Sequence, residues 1–276
     1  MASPRDTWSL TDHLLATQEP LYKSATQHPF LLAGAEGRLP KDILSRWLAN
    51  DRLYIHSYIR AAGQLLASID LPKQVPRSQE AFETQLADWL IEALVAIRKE
   101  ERFFIDVADR YDLGIDITTP FPPASQTSAN TLEKLPGLVQ METIFASVAA
   151  LTKSQTTQLI PWLEGALTFW GTERCYLDAW SWARDKAEER RASGGQVDKE
   201  DADGGALRKE FIPNWSSPEF AQFVVRLGKL IDDAVASVLE GREAEEREKL
   251  KGEILARVEG KWKSLLEAER QFWPEL

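Results

Sequence analysis

The sequence predicts an all-α protein, and three observations carry that reading. Apolar residues recur at three- and four-residue steps through most of the chain, no stretch of alternating polarity marks a strand, and proline and glycine gather in a few breaks between the periodic segments. The breaks leave roughly seven or eight helices. With 276 residues, 43% of them apolar, the chain can bury a substantial core, and the expected organisation is a single helical domain over 1–276.

In the first segment, 7–27, Trp8, Leu10, Leu14, Leu15, Leu21 and Tyr22 stand mostly at helical steps, with Pro20 splitting the run and His28-Pro29-Phe30 ending it. Gly34 and Gly37 then turn the chain into 39–69, around which the rest is organised. At about 100° per residue, Leu44, Trp47, Leu48, Tyr54, Ile55, Tyr58, Ala62 and Leu65 form one apolar stripe there, and Pro40 is placed to open the helix. Asp51 sits in the middle of the stripe. Burying an ionised acid uncompensated costs several kcal/mol, so Asp51 calls for a donor on a facing element or for a polar ligand.

Residues 72–77 are a short break, and 78–111 reads as a long helix carrying Phe82, Leu86, Trp89, Leu90, Leu94, Ile97, Phe103, Phe104, Val107 and Tyr111, stopped by Gly114. The prolines of 115–136 predict a surface loop. A short apolar helix follows at 138–151. In 162–184 apolar and aromatic residues lie all round, the mark of a helix buried on several sides. The segment 187–207 is charged, rich in glycine and poor in large apolar residues, which predicts a mobile insertion. Ser217-Pro218 supplies an N-cap and a helix-compatible first position for 219–239. In the last helix Val258, Trp262, Leu265, Leu266, Phe272 and Trp273 share a face with Glu269 near its centre. Two helices, far apart in sequence, thus aim one acid each into the core, and only helix packing can bring Asp51 and Glu269 to one aromatic hollow.

Composition narrows the partners. A net charge of −10 argues against nucleic acid or an anionic membrane, both of which ask for clustered Lys and Arg; a small neutral or cationic ligand fits it better. The one cysteine, Cys175, excludes an intramolecular disulfide and a Cys-rich zinc site. The three histidines are not set on helix faces with paired carboxylates, so no metal is expected. The N-terminus lacks a basic region followed by an apolar run, and no stretch approaches the ~18 apolar residues of a membrane span; the expected location is cytoplasmic.

Several of these residues also fall into known patterns. His28-Pro29-Phe30, Gly37, Leu39-Pro40, and Asp51 and Tyr54 three apart closely resemble the N-terminal signature of the TenA/thiaminase II family, which has a heme-oxygenase-like helical bundle. Phe211-Ile212 with Trp215, Ser217 and Phe220 resembles the family's W-I-x-x-Y-x-S-x-x-F, and Glu269-Arg270-Gln271-Phe272-Trp273 its terminal E-x-x-F-W. The resemblance implies an aminopyrimidine pocket without a cofactor, hydrolysis of a C–N bond in aminomethyl-pyrimidine products of thiamin breakdown, and a homo-oligomer. Asp51 would hold the ring amino group, Tyr54, Trp47, Trp170 and Phe272 would line the site, and Glu269 would act on the leaving amine. The departures matter too. Where the family carries a nucleophilic cysteine as P-C-x-x-x-Y, this chain reads Phe169-Trp170-Gly171-Thr172-Glu173-Arg174, Trp215 replaces a tyrosine, and Met141 stands where another pocket tyrosine is usual. Cys175 lies about 160° around the helix from Glu173 and is no substitute. The resemblance is therefore to the cysteine-lacking, fungal-type branch, with Glu173, flanked by Phe169, Trp170, Tyr176, Leu177 and Trp180, as the acid/base, and Glu142 a weaker candidate. The alternative is a pyrimidine-binding protein that lost hydrolysis with its cysteine.

Overall fold

In a computed structural model of the chain, residues 8–74, 80–115, 134–154, 159–193 and 200–276 are described. Apart from one π-helical turn, their regular elements are the α-helices α1 (Leu10–Thr17), α2 (Glu19–Thr26), α3 (Pro29–Ala35), α4 (Lys41–Ser68), α5 (Phe82–Tyr111), α6 (Pro136–Ser154), α7 (Leu163–Ala192), α8 (Ile212–Trp215), α9 (Pro218–Leu239) and α10 (Ala244–Phe272).

Pro20 splits the first segment as expected, because it takes a first-turn position of α2, where its missing N–H costs nothing. His28-Pro29-Phe30 does more than end that segment. Pro29 opens a third short helix, and His28 Nδ1 accepts the Phe30 N–H at 3.2 Å as its cap. Pro40 stands one place before α4 as its extended N-cap residue. The long helix α5 ends at Asp112, whose backbone is left-handed at φ 53°, ahead of Gly114. Ser217 caps α9 by accepting the Phe220 N–H at 3.3 Å.

Helix α4 packs against α5 and α6, α6 against α10, and α10 against α7, while α9 closes on α7 and α5. Where α6 crosses α10 the backbones touch: a Cβ built at Gly137 would overlap Ala268 O and Phe272 N. The buried residues form two apolar clusters. One is centred on Tyr58, Phe145, Phe169, Trp170 and Trp262, the other on Phe30, Trp47, Trp180, Phe211 and Trp273. Tyr54 and Ile97 pack against both, so α4 and α5 meet where the two clusters adjoin.

The segment 187–207 departs from its expectation. Residues 187–192 continue α7, and 194–199 lie outside the described residues. The stretch beyond is packed: Asp203 is 2% exposed and accepts the N–H groups of Gly205 and Leu207, each at 2.8 Å. Gly204 and Gly205 supply the positive φ that this turn needs (75° and 94°), and Ala206 and Leu207 are fully buried. The polar composition of the segment serves a tight turn rather than solvation. From it the π-helical turn Leu207–Phe211 runs directly into α8. Of the loop expected at 115–136, Ile115 and Leu135 are buried, Pro136 already begins α6, and 116–133 lie outside the described residues.

Candidate functional site

A cavity of about 280 Å³ opens between α4, α5, α7, α8 and α9. Its walls take Asp51, Tyr54 and Ile55 from α4, Glu92, Ala93, Ala96, Ile97 and Glu100 from α5, Glu173 and Tyr176 from α7, Asn214 and Trp215 from α8, and Ser217, Glu219, Phe220 and Phe223 at the start of α9. Five of these residues are carboxylic acids and none is Lys, Arg or His. Exposure orders them by depth. Glu92, Asn214 and Glu219 are exposed and mark the mouth, Glu100 and Glu173 are half-buried, and Asp51, 3% exposed, is the deepest acid.

Asp51 carries the clearest mark of a binding site. Tyr176 Oη lies 3.5 Å from its Oδ2, at the edge of hydrogen-bond reach, while Oδ1 is buried with no partner. A buried acceptor without a donor costs of order 1–3 kcal/mol, and folding has left that cost standing. Burial, then the charge of Glu100, pushes the Asp51 carboxyl well above the ordinary carboxylate range; Tyr176 opposes and Glu173 adds to the rise.

Glu173 is held differently. Tyr58 Oη donates to its Oε1 at 2.6 Å, and among the described residues no cation pairs with it, Arg174 being turned to Asp178. Burial pushes Glu173 up to about 7, against the pull of the Tyr58 hydroxyl and with further help from Glu100. A carboxyl that exchanges its proton near neutrality is what general acid/base work requires.

Glu100 is the acid that the expected site lacked. Its Oε1 accepts from Trp215 Nε1, and Asn214 Nδ2 reaches both its oxygens at 3.3 and 3.2 Å. Burial raises its pKa while these two donors lower it. In sequence Glu100 lies within Arg98–Arg102, a run that reads as solvated charge. It nevertheless completes the inward stripe Leu86, Leu90, Ala93, Ile97, Phe104 and Val107, filling the step between Ile97 and Phe104. That periodicity was the available signal.

Of the expected site residues, Asp51, Tyr54, Glu173 and Trp215 do meet at the cavity. Glu269 does not line it. It is 5% exposed, without a hydrogen-bond partner among the described residues, and its pKa is driven well up by burial and then by Asp51 and Glu173. It is close enough to raise the Tyr54 phenol as well. The two acids thus feel one another, but only Asp51 faces the void. Phe272 packs on Tyr54 at 5.7 Å and on Trp47 at 6.3 Å, and Trp47, fully buried, stacks on Trp273 at 5.6 Å. Both support the site from the core. Met141, 1% exposed, belongs to the other cluster. Trp170 is turned toward Trp262 (5.6 Å) and the gap left by Gly228, because successive three-residue steps precess by about 60° and only the Glu173–Tyr176 side of α7 faces the cavity. Glu142 is paired with Lys134 at 2.7 and 2.8 Å. Cys175 is 2% exposed, its thiol raised well above the ordinary range by burial and then by Glu269 and Asp178. Within the stretch 169–174 Thr172 is fully buried, with its hydroxyl donating to Phe169 O at 3.0 Å. Among the described residues no group of three or more His, Cys, Asp or Glu is placed to hold a metal ion, and no helix is long and apolar enough to cross a membrane.

Fold and site together define an all-α bundle enclosing an acid-lined aromatic cavity. Residues 15–87 match the model of the TENA/THI-4/PQQC family, and two solved structures share the fold across nearly the whole chain. A TenA family transcription regulator from Silicibacter sp. TM1040 has a TM-score of 0.61 at 16% identity, covering 95% of this chain and 94% of that one. The TenA homologue protein from P. horikoshii OT3 has a TM-score of 0.61 at 17% identity, covering 96% and 97%. The chain therefore shares the all-α fold of these two TenA structures, and its residues 15–87 are similar to the TENA/THI-4/PQQC family. A protein of Fusarium pseudograminearum (strain CS3096) named "Probable transcription factor" is 26% identical over 243 residues, 84% of this chain and 47% of that protein, so the chain spans about half the length of this curated relative.

Proposed function

We propose that the protein hydrolyses a C–N bond in an aminopyrimidine of thiamin breakdown, such as an aminomethyl-pyrimidine. The similarity of residues 15–87 to the TENA/THI-4/PQQC family supports a function in thiamin metabolism. The observation that carries the finer reading is the unpartnered, buried Asp51 Oδ1 in the same small cavity as Glu173, whose proton exchanges near pH 7. A single flat ring suits a volume of about 280 Å³, with Tyr176, Trp215 and Phe220 as aromatic walls.

In this reading Asp51 accepts from the ring amino group and fixes its orientation. The aminomethyl group enters as ammonium and leaves as ammonia, taking the C–N bonding pair, while a water oxygen forms the new C–O bond. Glu173, ionised, removes the proton that the water must lose and returns it to the ammonia, ending as it began. The products are the hydroxymethyl-pyrimidine and ammonium. Tyr58 keeps Glu173 in place and lowers the cost of its ionised form. Neither Cys175, which is outside the cavity, nor Glu269 is given a step.

The test is ammonia release from aminomethyl-pyrimidine by the purified protein, with Glu173→Gln as control. Turnover lost in the variant supports the proposal. Tight pyrimidine binding without turnover by the wild type overturns hydrolysis in favour of a carrier.

A further inference from the structure

The cavity's charge is lopsided in a way that binding a ring amino group does not explain. One residue along α5, Glu101 has two cations beside it, Arg52 Nε at 3.2 Å and Arg98, together with His56 Nε2 at 2.8 Å. Glu100 is offset from it by about 100° around the helix and faces the void, where among the described residues its hydrogen-bond partners are the neutral donors of Trp215 and Asn214. Of the lining acids, Glu92 has a cationic partner, Arg226, in an exposed pair at the mouth. Cations are therefore within reach of this part of α5, yet they are spent on Glu101 and Glu92. A carboxylate fixed by two N–H donors keeps its charge more readily than one fixed by a hydroxyl or left bare. Deeper in the same cavity the unpartnered Asp51 Oδ1 independently marks the place of a ligand donor.

We propose that Glu100 is a cation-recognition residue, receiving the positive charge of a flat ligand whose hydrogen-bond-donating edge rests on Asp51 Oδ1. The ligand class is a planar ring bearing an ammonium or amidinium group. The Trp215 indole, standing where the family pattern has tyrosine, orients this carboxylate. The proposal rests on the reading of the cavity as a ligand site and deepens it, by assigning the substrate's charge to a residue outside the family motifs quoted above.

Calorimetry at pH 7.5 and low salt, with two matched pairs of probes, tests it. Benzamidine and benzamide have nearly the same shape and differ in charge, as do aminomethyl- and hydroxymethyl-pyrimidine. The wild type should bind the charged member of each pair roughly tenfold or more tightly, the size of a hydrogen bond to a charged group. Glu100→Gln should bring that ratio toward unity while leaving the neutral member's affinity within about twofold, and Glu100→Asp should keep part of the preference. A wild-type ratio near unity overturns the proposal without recourse to any variant, and so does a ratio that Glu100→Gln leaves unchanged. If the benzamidine pair behaves as expected and neither pyrimidine binds, Glu100 keeps its role and the aminopyrimidine reading falls. If the pyrimidines bind equally well in wild type and variant, the reverse holds. Failure of all four probes overturns both.

Discussion

Replacing Glu173 by Gln should make the protein more stable at pH 8 and, by much less, at pH 5. The carboxyl stands at about 7 in the folded chain against 4.5 ordinarily, so the folded state holds its proton through a window in which the unfolded state has released it. The native state binds more protons between those values, and stability therefore falls as pH rises from 4.5 to 7. Below 4.5 both states are protonated and there is no penalty. Above about 7 both are ionised, and the folded protein carries the full cost of a buried charge. That cost is roughly 3 kcal/mol. Gln keeps the shape and still accepts the Tyr58 hydroxyl, but it never ionises, and its neutrality also relieves Asp51 and Glu269, both of which feel the charge of Glu173. At about 2–4 °C per kcal/mol for a chain of this size, the variant's melting temperature should exceed the wild type's by roughly 6–12 °C at pH 8, the difference falling to about a quarter of that by pH 5. Thermal melts of both proteins across pH 5–8 measure it. Parallel curves would refute the assignment of a neutral-range carboxyl to this position. The same substitution should cost about 10²–10⁴-fold in turnover, so a protein more stable and less active at pH 8 is the joint signature.

Three further outcomes follow from the geometry. Cys175→Ala should retain turnover within about threefold, and the native thiol should react with iodoacetamide far more slowly than the unfolded one, because it is buried and held protonated; loss of activity would reinstate a thiol mechanism. Glu269→Gln should keep affinity for hydroxymethyl-pyrimidine within about threefold, whereas Asp51→Asn should lose tenfold or more; calorimetry showing the reverse order would put Glu269, not Asp51, at the ligand. Gly137→Ala should destabilise the fold by roughly 3 kcal/mol or more, since a new Cβ meets the backbone of α10 at Ala268 and Phe272, where no side chain can move aside; a urea midpoint unchanged from wild type would contradict that close approach.

What could be read from the sequence depended on whether a residue broke a pattern or belonged to one. Asp51 breaks an apolar stripe and Glu173 sits among aromatics, so both stand out, and both line the cavity. Glu269 breaks a stripe equally well and is buried as expected. Periodicity can say that a residue faces inward but not whether it meets a void or a packed neighbour, since that depends on how α6 and α10 cross, and the crossing is set by a glycine, Gly137, with no side chain to announce it. Trp170 failed for a related reason: on a helix buried all round, every face points inward, and the cavity is behind only one of them. Glu100 was hidden by its charged neighbours, and the fold of 200–207 by the same Gly- and Asp-rich composition that marks loops. There the side chain of Asp203 supplies the acceptors that let the turn be buried.

The energetics explain why these acids gather at one place and not through the core. Elsewhere the chain compensates buried carboxylates: Glu164 takes Arg257 at 2.6 Å and 2.8 Å, Asp203 takes two backbone N–H groups, and Glu101 takes two arginines and a histidine. Glu164 thereby ties α7 to α10 and Glu101 ties α5 to α4. Asp51, Glu173 and Glu269 have no cation among the described residues; burial drives all three up, with Glu100 and Glu173 adding to the rise of Asp51, Glu100 to that of Glu173, and Asp51 and Glu173 to that of Glu269. A fold that can neutralise its buried acids with arginine leaves this group, at and behind one cavity, without a cation among the described residues, at a cost to its own stability near neutral pH. Local sacrifice of this kind is the usual accompaniment of a functional site. What could remove that cost is a ligand that brings its own donors and its own positive charge, and Asp51 Oδ1 and Glu100 stand where it would bring them.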